Sequence, residues 1–179
     1  MTRILGLSGS LRKASYNRAL IRAAIDIAPP EMEIQQYYLD DLPLFSQDLE
    51  EGGDPEPVQT FKSKIRAADG LLIATPEYQY SVTGVLKNAI DWASRPPSDA
   101  PLDGKPVAMM GASPGRVGTA RSHMHLRQIL SYNEMDIVLR PEVLVARAAD
   151  KFDDDGNLAD EMARKLIRQL LGKLASRIN

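Results

Sequence analysis

Cysteine is absent from this 179-residue sequence. The chain therefore has no disulfide, no thiolate nucleophile and no cysteine-ligated metal, and any redox chemistry must be carried by a bound cofactor. Histidine is nearly absent as well, with only two residues, His123 and His125. They lie two positions apart in a predicted helix and so point to different faces. We therefore expect no metal site.

Neither sign of charge predominates, because the sequence has 22 lysines and arginines and 24 aspartates and glutamates. The net charge of −2 gives no reason to expect nucleic acid or an anionic membrane as a partner. No long hydrophobic run occurs, and the first apolar run, 4–7, is too short for the core of a signal peptide. We expect a cytoplasmic protein with a single domain over residues 1–179.

Short apolar runs alternate with amphipathic segments along the whole chain. The predicted strands are 3–8, 32–39, 71–75, 106–111 and 136–145. The predicted helices are 17–28, one that starts at Pro55–Pro57 and runs to Ala68, one with apolar positions from Val85 to Ala93, 120–132 and 158–178. This alternation predicts a doubly wound, five-stranded parallel sheet of flavodoxin-like order 2-1-3-4-5, with helices on both faces. Pro141 makes the last strand an edge strand or two short pieces.

The loop after the first strand, residues 9–16, has the chemistry of an anion site. It offers Ser10, Arg12 and Ser15 close to the start of a helix that we expect Asn17 to cap, where free N–H groups favour a phosphate monoester. The loop lacks both the P-loop pattern and Gly-x-Gly-x-x-Gly, which disfavours a nucleoside triphosphate or a dinucleotide. The alternative is a solvated loop with an ordinary helix cap.

The turn after the third strand carries Pro76, Glu77, Tyr78, Gln79 and Tyr80. In the predicted sheet this turn and the first loop meet at the switch point, where ligands bind. The tyrosines can lie along a planar ring, and Gln79 can bond the polar edge of a flavin. Alternatively, the tyrosines pack within the fold, and Glu77 is a solvated or capping residue.

The loop after the fourth strand matches Gly-x-Ser-x-Gly at residues 111–115. A serine hydrolase is disfavoured, because Pro114 has no N–H for an oxyanion hole and no acidic residue lies between Ser113 and the histidines. We interpret Ser113 and Gly115 as a wall beside a flat ring. Arg116 and Arg121 can meet the phosphates of a nicotinamide cofactor, unless they are solvated charges or form an intersubunit salt bridge.

Two stretches together resemble the NAD(P)H-dependent FMN reductase family. Residues 9–17, Gly-Ser-Leu-Arg-Lys-Ala-Ser-Tyr-Asn, resemble its phosphate loop. Residues 75–81, Thr-Pro-Glu-Tyr-Gln-Tyr-Ser, followed by 84–92, resemble its flavin-ring signature. The resemblance extends over most of the chain, although Thr83 stands where the family often has proline. Threonine can cap the helix there, so we expect no change in function.

This resemblance implies an FMN cofactor, NADH or NADPH as electron donor, and a quinone, azo compound, flavin or metal oxyanion as acceptor. It places Ser10, Arg12, Ser15 and Asn17 at the FMN phosphate, and Tyr16 is expected to be a further cofactor-binding residue. It places a second group around the ribityl chain and ring: Pro76, Glu77, Tyr78, Gln79, Tyr80, Ser113 and Gly115. It also implies a homodimer or homotetramer. The alternative function is a flavodoxin-type electron carrier without its own NAD(P)H turnover, but such carriers tend to be strongly acidic.

Overall fold

The computed structural model describes residues 1–178. The six strands are β1 Thr2–Ser8, β2 Met32–Tyr37, β3 Gly70–Ala74, β4 Pro106–Ala112, β5 Asp136–Ile137 and β6 Val143–Val145. The six α-helices are α1 Tyr16–Ile27, α2 Gln47–Glu51, α3 Glu56–Ala67, α4 Gly84–Ala93, α5 Ala120–Tyr132 and α6 Glu161–Ile178. None of the helices within residues 1–178 is both long enough and apolar enough to cross a bilayer.

The sheet is parallel and has the order β2-β1-β3-β4-β5, which confirms the predicted topology. The last position in the order is divided between two strands. β5 pairs with the start of β4, at Pro106 and Val107, and β6 pairs with its end, from Met110 to Ala112. Pro141 lies between them and has no N–H to donate to a ladder. Of the two predicted outcomes, the chain adopts the pair of short pieces.

Alternate residues of the central strands pack into two separate hydrophobic cores, one on each face of the sheet. Ile4 and Leu72 belong to a core closed by α1 and α6. Leu5 and Leu71 belong to the opposite core, which α3, α4 and α5 close. Every residue of β3 is buried, because helices cover both faces of the sheet. The carboxyl ends of the strands are thereby left as the open edge for a ligand.

Several element boundaries differ from those predicted. Helix α1 is capped by Ser15, whose hydroxyl accepts a hydrogen bond from the Asn17 N–H, so the expected cap at Asn17 is wrong. Helix α6 begins three residues later than predicted, because the Asp160 carboxylate accepts from the Ala163 N–H and fixes the start there. The long loop before α3 also contains the short helix α2, which the sequence pattern missed.

That long loop, residues 38–55, is fastened along α4 and α3, and we call it the strap. The Asn88 side chain accepts from the Phe45 N–H and donates to the Pro43 carbonyl, to which Trp92 Nε1 also donates at 2.8 Å. Further along, Asp54 pairs with Lys62, whose side chain is only 3% exposed. These contacts hold the strap against the helix that follows the tyrosine-bearing turn.

Candidate functional site

Two clefts lie side by side at the carboxyl ends of the strands. The α1 cleft, of about 280 Å³, is lined by the loops after β1, β3 and β4 together with the start of α1 and the end of β4: Ser10, Arg12, Ser15, Tyr16, Asn17, Pro76, Tyr78, Ala112 and Pro114. The α5 cleft, of about 530 Å³, is lined by Glu77, Gln79, Tyr80, Ser113, Gly115, Arg116, Val117, Gly118 and Arg121. Between them the two clefts contain every residue that the sequence placed at the site.

The α1 cleft presents hydrogen-bond donors at the beginning of α1. Ser10 and Ser15 are buried at 5% and 4% exposure, and Arg12 is exposed with its guanidinium 5.6 Å from the centre of the Tyr16 ring. The first turn of a helix adds unpaired N–H groups and a partial positive charge. Hydroxyls, a guanidinium and a helix N-terminus together suit a phosphate group.

Asn17 is used mainly to join α1 to β4. Its side-chain oxygen accepts from the Ala112 N–H, and its amide nitrogen donates to the Ala112 carbonyl, each at 2.9 Å. This pairing joins the first turn of α1 to the last residue of β4, which also lies opposite Val145 of β6. An asparagine amide has two hydrogens, so one donor remains for a ligand in the cleft that Asn17 lines. Asn17 therefore borders the cleft and also joins two of the elements that form it, α1 and β4.

The turn after β3 is a tight hairpin in an unusual backbone conformation. Tyr78 and Ser81 exchange both of their backbone hydrogen bonds, and Gln79 and Tyr80 between them have φ values of 50° and 64°. Positive φ at both central positions is the signature of a type I′ turn, which normally favours asparagine and glycine. Strained conformations of this kind cluster at functional sites. Here the turn displays Tyr78 and Tyr80 with 56% and 67% exposure.

Helix α5 fixes this turn in place. The Ser122 hydroxyl donates to the Pro76 carbonyl at 3.1 Å, and His125 Nδ1 lies 2.9 Å from the Ser81 hydroxyl. The Arg121 guanidinium lies over the Tyr80 ring, 3.8 Å from its centre. The exposed aromatic rings are therefore carried on a rigid support rather than on a mobile loop.

Glu77 acts as the cap of α5. Its Oε2 accepts from the backbone N–H groups of Arg121 and Ser122, and its Oε1 accepts from Arg121 Nε at 2.6 Å. Thr119 precedes the helix but makes no side-chain capping bond. The Glu77 side chain is 6% exposed. Although it lines the α5 cleft, its carboxylate is already bonded within the protein, as the capping alternative predicted.

The two predicted substrate-binding arginines differ in what they contact. Arg121 is occupied by Glu77 and the Tyr80 ring, so its charge is largely balanced. Arg116 is exposed on the rim of the same cleft, next to Gly115. A guanidinium in this position can meet a phosphate of an incoming ligand. The structure therefore brings both residues to the cleft but leaves Arg116 as the more available cation.

His123 lies beneath this site, on the inner face of α5. It is 1% exposed, and its Nε2 has no hydrogen-bond partner among residues 1–178. Burial lowers the pKa of His123 from 6.5 to about 4, with a smaller contribution from the nearby charge of Arg127, against a bond to the Met110 carbonyl that favours the charged form. The imidazole is therefore neutral at physiological pH.

Some residues at the site were missed by the sequence analysis. Ala112 and Pro114 line the α1 cleft, and Val117 and Gly118 line the α5 cleft. Their positions at the end of β4 and in the loop after it, close to residues that were chosen, offered the only signal. Arg18 was also missed; it is buried in the first turn of α1, where the sequence pattern indicated only an apolar face.

An open parallel sheet of this order, with its clefts at the carboxyl ends of the strands, defines a flavodoxin-like protein. A family model for NADPH-dependent FMN reductases matches residues 2–150. The chain is 51% identical over 172 residues to the NAD(P)H-dependent FMN reductase of Pseudomonas aeruginosa, covering 96% of this chain and 92% of that protein. It is 44% identical over 175 residues to the NAD(P)H:quinone oxidoreductase of Solanum tuberosum, covering 94% and 89%.

Among solved structures, FerB, a flavoenzyme NAD(P)H:(acceptor) oxidoreductase from Paracoccus denitrificans, superimposes with a TM-score of 0.90 at 32% identity. The match covers 99% of this chain and 97% of that one. The chain belongs to the NADPH-dependent FMN reductase family. It is an FMN-dependent NAD(P)H oxidoreductase, which favours the enzyme over the electron carrier as its function.

Proposed function

We propose that the protein binds FMN across the α1 and α5 clefts and uses it to reduce quinones with NAD(P)H. The observation that carries the residue assignment is that neighbouring residues of the same two loops face different clefts. Tyr78 and Pro114 line the α1 cleft, whereas Gln79 and Ser113 line the α5 cleft. One ligand with a phosphate at one end and a flat ring at the other can therefore lie along both loops.

The hydrogen-bond donors that line the α1 cleft suit the phosphate of FMN. Ser10, Arg12 and Ser15 hold the phosphate with the N-terminus of α1, and Asn17 contributes its remaining amide hydrogen. Tyr16 closes the side of this cleft, because its ring is fixed 4.9 Å from that of Phe152. A phosphate here would receive a charge-assisted hydrogen bond from Arg12, so the cleft favours FMN over a flavin without phosphate.

The residues of the turn after β3 would hold the flavin ring. Pro76 and Tyr78 would border it from the α1 cleft, and Gln79 and Tyr80 from the α5 cleft, with the Gln79 amide available to its polar edge. Ser113 and Gly115 form the opposite wall. Glu77 acts indirectly, by holding the Arg121 guanidinium against the Tyr80 ring. Bound FMN would supply the two-electron chemistry, taking hydride from the nicotinamide donor and passing the electrons on to the acceptor.

The acceptor class follows from the openness of the site and from the relatives. The exposed rings of Tyr78 and Tyr80 provide flat apolar surface suited to an aromatic or quinonoid molecule. The relative from Solanum tuberosum is named an NAD(P)H:quinone oxidoreductase. Arg116 on the rim suits a phosphate of NADH or NADPH. Donor and acceptor would use the same open cleft in turn.

The visible spectrum of the purified protein tests this proposal. We expect a flavin spectrum that bleaches on anaerobic addition of NADPH or NADH and recovers on addition of a benzoquinone. A bound flavin that neither donor bleaches would support the electron-carrier alternative and contradict the proposed reaction. No flavin binding after incubation with FMN would overturn the site assignment.

The homodimer or homotetramer and the cytoplasmic location that the sequence predicted stay proposals. We place the contact between copies at α4 and at the strap that packs along it. A cytoplasmic enzyme would meet NAD(P)H directly, because that donor is an intracellular metabolite. Light scattering of the purified protein gives the oligomeric state, and fractionation of the source cells gives the location. A monomer, or recovery outside the cytoplasm, would refute the respective proposal.

A further inference from the structure

Two successive carbonyl groups in the loop after β1 are held by side chains from outside that loop. The Thr83 hydroxyl donates to the Gly9 carbonyl at 2.7 Å. Arg18 Nε donates to the Ser10 carbonyl at 3.1 Å. Both donors are buried, with 2% exposure for Thr83 and 9% for Arg18. The direction of the backbone at the start of the loop is therefore set by the elements packed behind it.

Arg18 is itself held in one orientation. Its second nitrogen donates to both carboxylate oxygens of Asp40, at 3.0 and 2.8 Å. Its guanidinium carbon lies 4.7 Å from the centre of the Tyr38 ring. The planar, forked guanidinium can serve a carbonyl and a carboxylate at the same time, which a single ammonium group cannot do in the same geometry. Asp40 and Tyr38 thus connect the beginning of the strap to the loop after β1.

The planarity of the peptide bond turns this contact into a constraint on the cleft. In a trans peptide the carbonyl and the following N–H point in opposite directions. Ser10 lines the α1 cleft, whereas Arg18 does not, so the Ser10 carbonyl is drawn to the side away from the ligand. The Leu11 N–H is consequently turned the other way. An anion is attracted to such N–H groups and repelled by carbonyl oxygens.

We propose that Arg18 is a positioning residue for the FMN phosphate. It holds the Ser10 carbonyl away from the α1 cleft and so presents the Leu11 N–H to the phosphate without touching the ligand. Its own charge is balanced by Asp40, so its effect is geometric rather than a direct attraction. This inference rests on the proposed function, which places the FMN phosphate in the α1 cleft.

The test compares binding of FMN and riboflavin to the flavin-free protein, followed by quenching of flavin fluorescence. Riboflavin has the same ring but no phosphate. Without the Arg18 bond the Ser10 peptide must be ordered when the phosphate binds, and loss of one such bond corresponds to about a tenfold lower affinity. We therefore expect Arg18→Met to weaken FMN binding by about this factor and to leave riboflavin binding unchanged. Arg18→Lys keeps the charge but not both contacts, and we expect the same selective loss. Arg22→Met, which removes an exposed arginine one turn further along α1, is the matched control.

Unchanged FMN affinity in Arg18→Met or Arg18→Lys would overturn the inference, and so would equal losses for FMN and riboflavin, which indicate general damage to the fold. If Arg18→Met does not fold, Arg18→Lys decides alone, because it retains the pairing charge for Asp40. A wild-type protein that binds FMN no better than riboflavin would instead refute the phosphate assignment in the proposed function. The two failures are therefore distinguishable.

Discussion

Glu77 accepts a 3.0 Å hydrogen bond from the backbone N–H of Arg121 and a 2.6 Å bond from the Nε of the same residue. A carboxylate 44 positions earlier in the chain thus caps α5 and also orients the side chain that supports Tyr80. Helix capping and the positioning of an aromatic ring at the cleft are combined in one contact. The turn after β3 and α5 consequently behave as one structural unit.

Replacement of Glu77 tests this unit. We expect Glu77→Ala to lower the free energy of unfolding by about 2 kcal/mol, because it removes the cap and its interaction with the helix N-terminus. Glu77→Gln keeps one acceptor oxygen and is expected to cost about half as much. Urea denaturation measures both, with the exposed Glu33→Ala as control. A loss in Glu77→Ala no larger than in the control would contradict the capping role.

Ser15→Asp separates folding from phosphate binding. Aspartate is as good a helix cap as serine, so we expect nearly unchanged stability. Its negative charge within a few ångströms of a phosphate should weaken FMN binding by about a hundredfold or more. Riboflavin should bind this variant as it binds the wild type. Titration of both flavins provides the measurement, and undiminished FMN affinity would remove Ser15 from the phosphate site.

Gln79→Asn tests whether the turn after β3 exchanges stability for function. Asparagine adopts positive φ more readily than glutamine. We therefore expect the free energy of unfolding of Gln79→Asn to be about 0.5 kcal/mol higher than that of the wild type. The shorter amide should no longer reach the flavin edge, and FMN affinity should fall. Gln128→Asn, at an exposed position of α5, is the control and should slightly lower stability. A variant that is neither more stable nor weaker in FMN binding would refute this interpretation.

His123 predicts a specific dependence of stability on pH. Its pKa is about 4 in the folded protein and about 6.5 when unfolded, so between these values the unfolded chain binds more protons. Stability contributed by the neutral imidazole is present above pH 6.5 and is lost as the pH falls towards 4. Between pH 7 and pH 5 this loss amounts to about 2 kcal/mol.

The corresponding measurement is denaturation by urea at pH 7 and pH 5 for the wild type and His123→Gln. Glutamine has no titration in this range, so the variant should lose about 2 kcal/mol less between the two pH values. Gln128→Asn, at an exposed position of α5, is the control and should keep the wild-type dependence. An identical pH dependence in all three proteins would show that His123 is not the responsible group.

The sheet order and the loops of the site were predictable from the sequence because they depend on patterns local in the chain. Alternating apolar runs and helices fix the order, and a hydroxyl-rich or tyrosine-rich loop after a strand marks its carboxyl end. The hydrogen-bond partner of each polar side chain was harder to predict. Asn17 bonds Ala112, 95 positions away, and Glu77 bonds α5. Such pairings depend on tertiary neighbours that no local pattern specifies.

The same limit applies to Ser15 and to Arg18. Either Ser15 or Asn17 is an acceptable helix cap, and the choice follows from the fact that Ala112 occupies the Asn17 side chain. An arginine in the first turn of a helix is usually solvated. Arg18 is buried only because Asp40 and the Ser10 carbonyl happen to meet it from two other segments.

The division of the last sheet position between β5 and β6 has a consequence for the behaviour of the protein in a crowded solution. A long, regular edge strand offers a row of unpaired backbone groups to which another chain can add. Here the edge consists of two residues and then three, with Pro141 in the interval. No uninterrupted ladder can form along it. This side of the molecule is therefore protected against edge-to-edge aggregation.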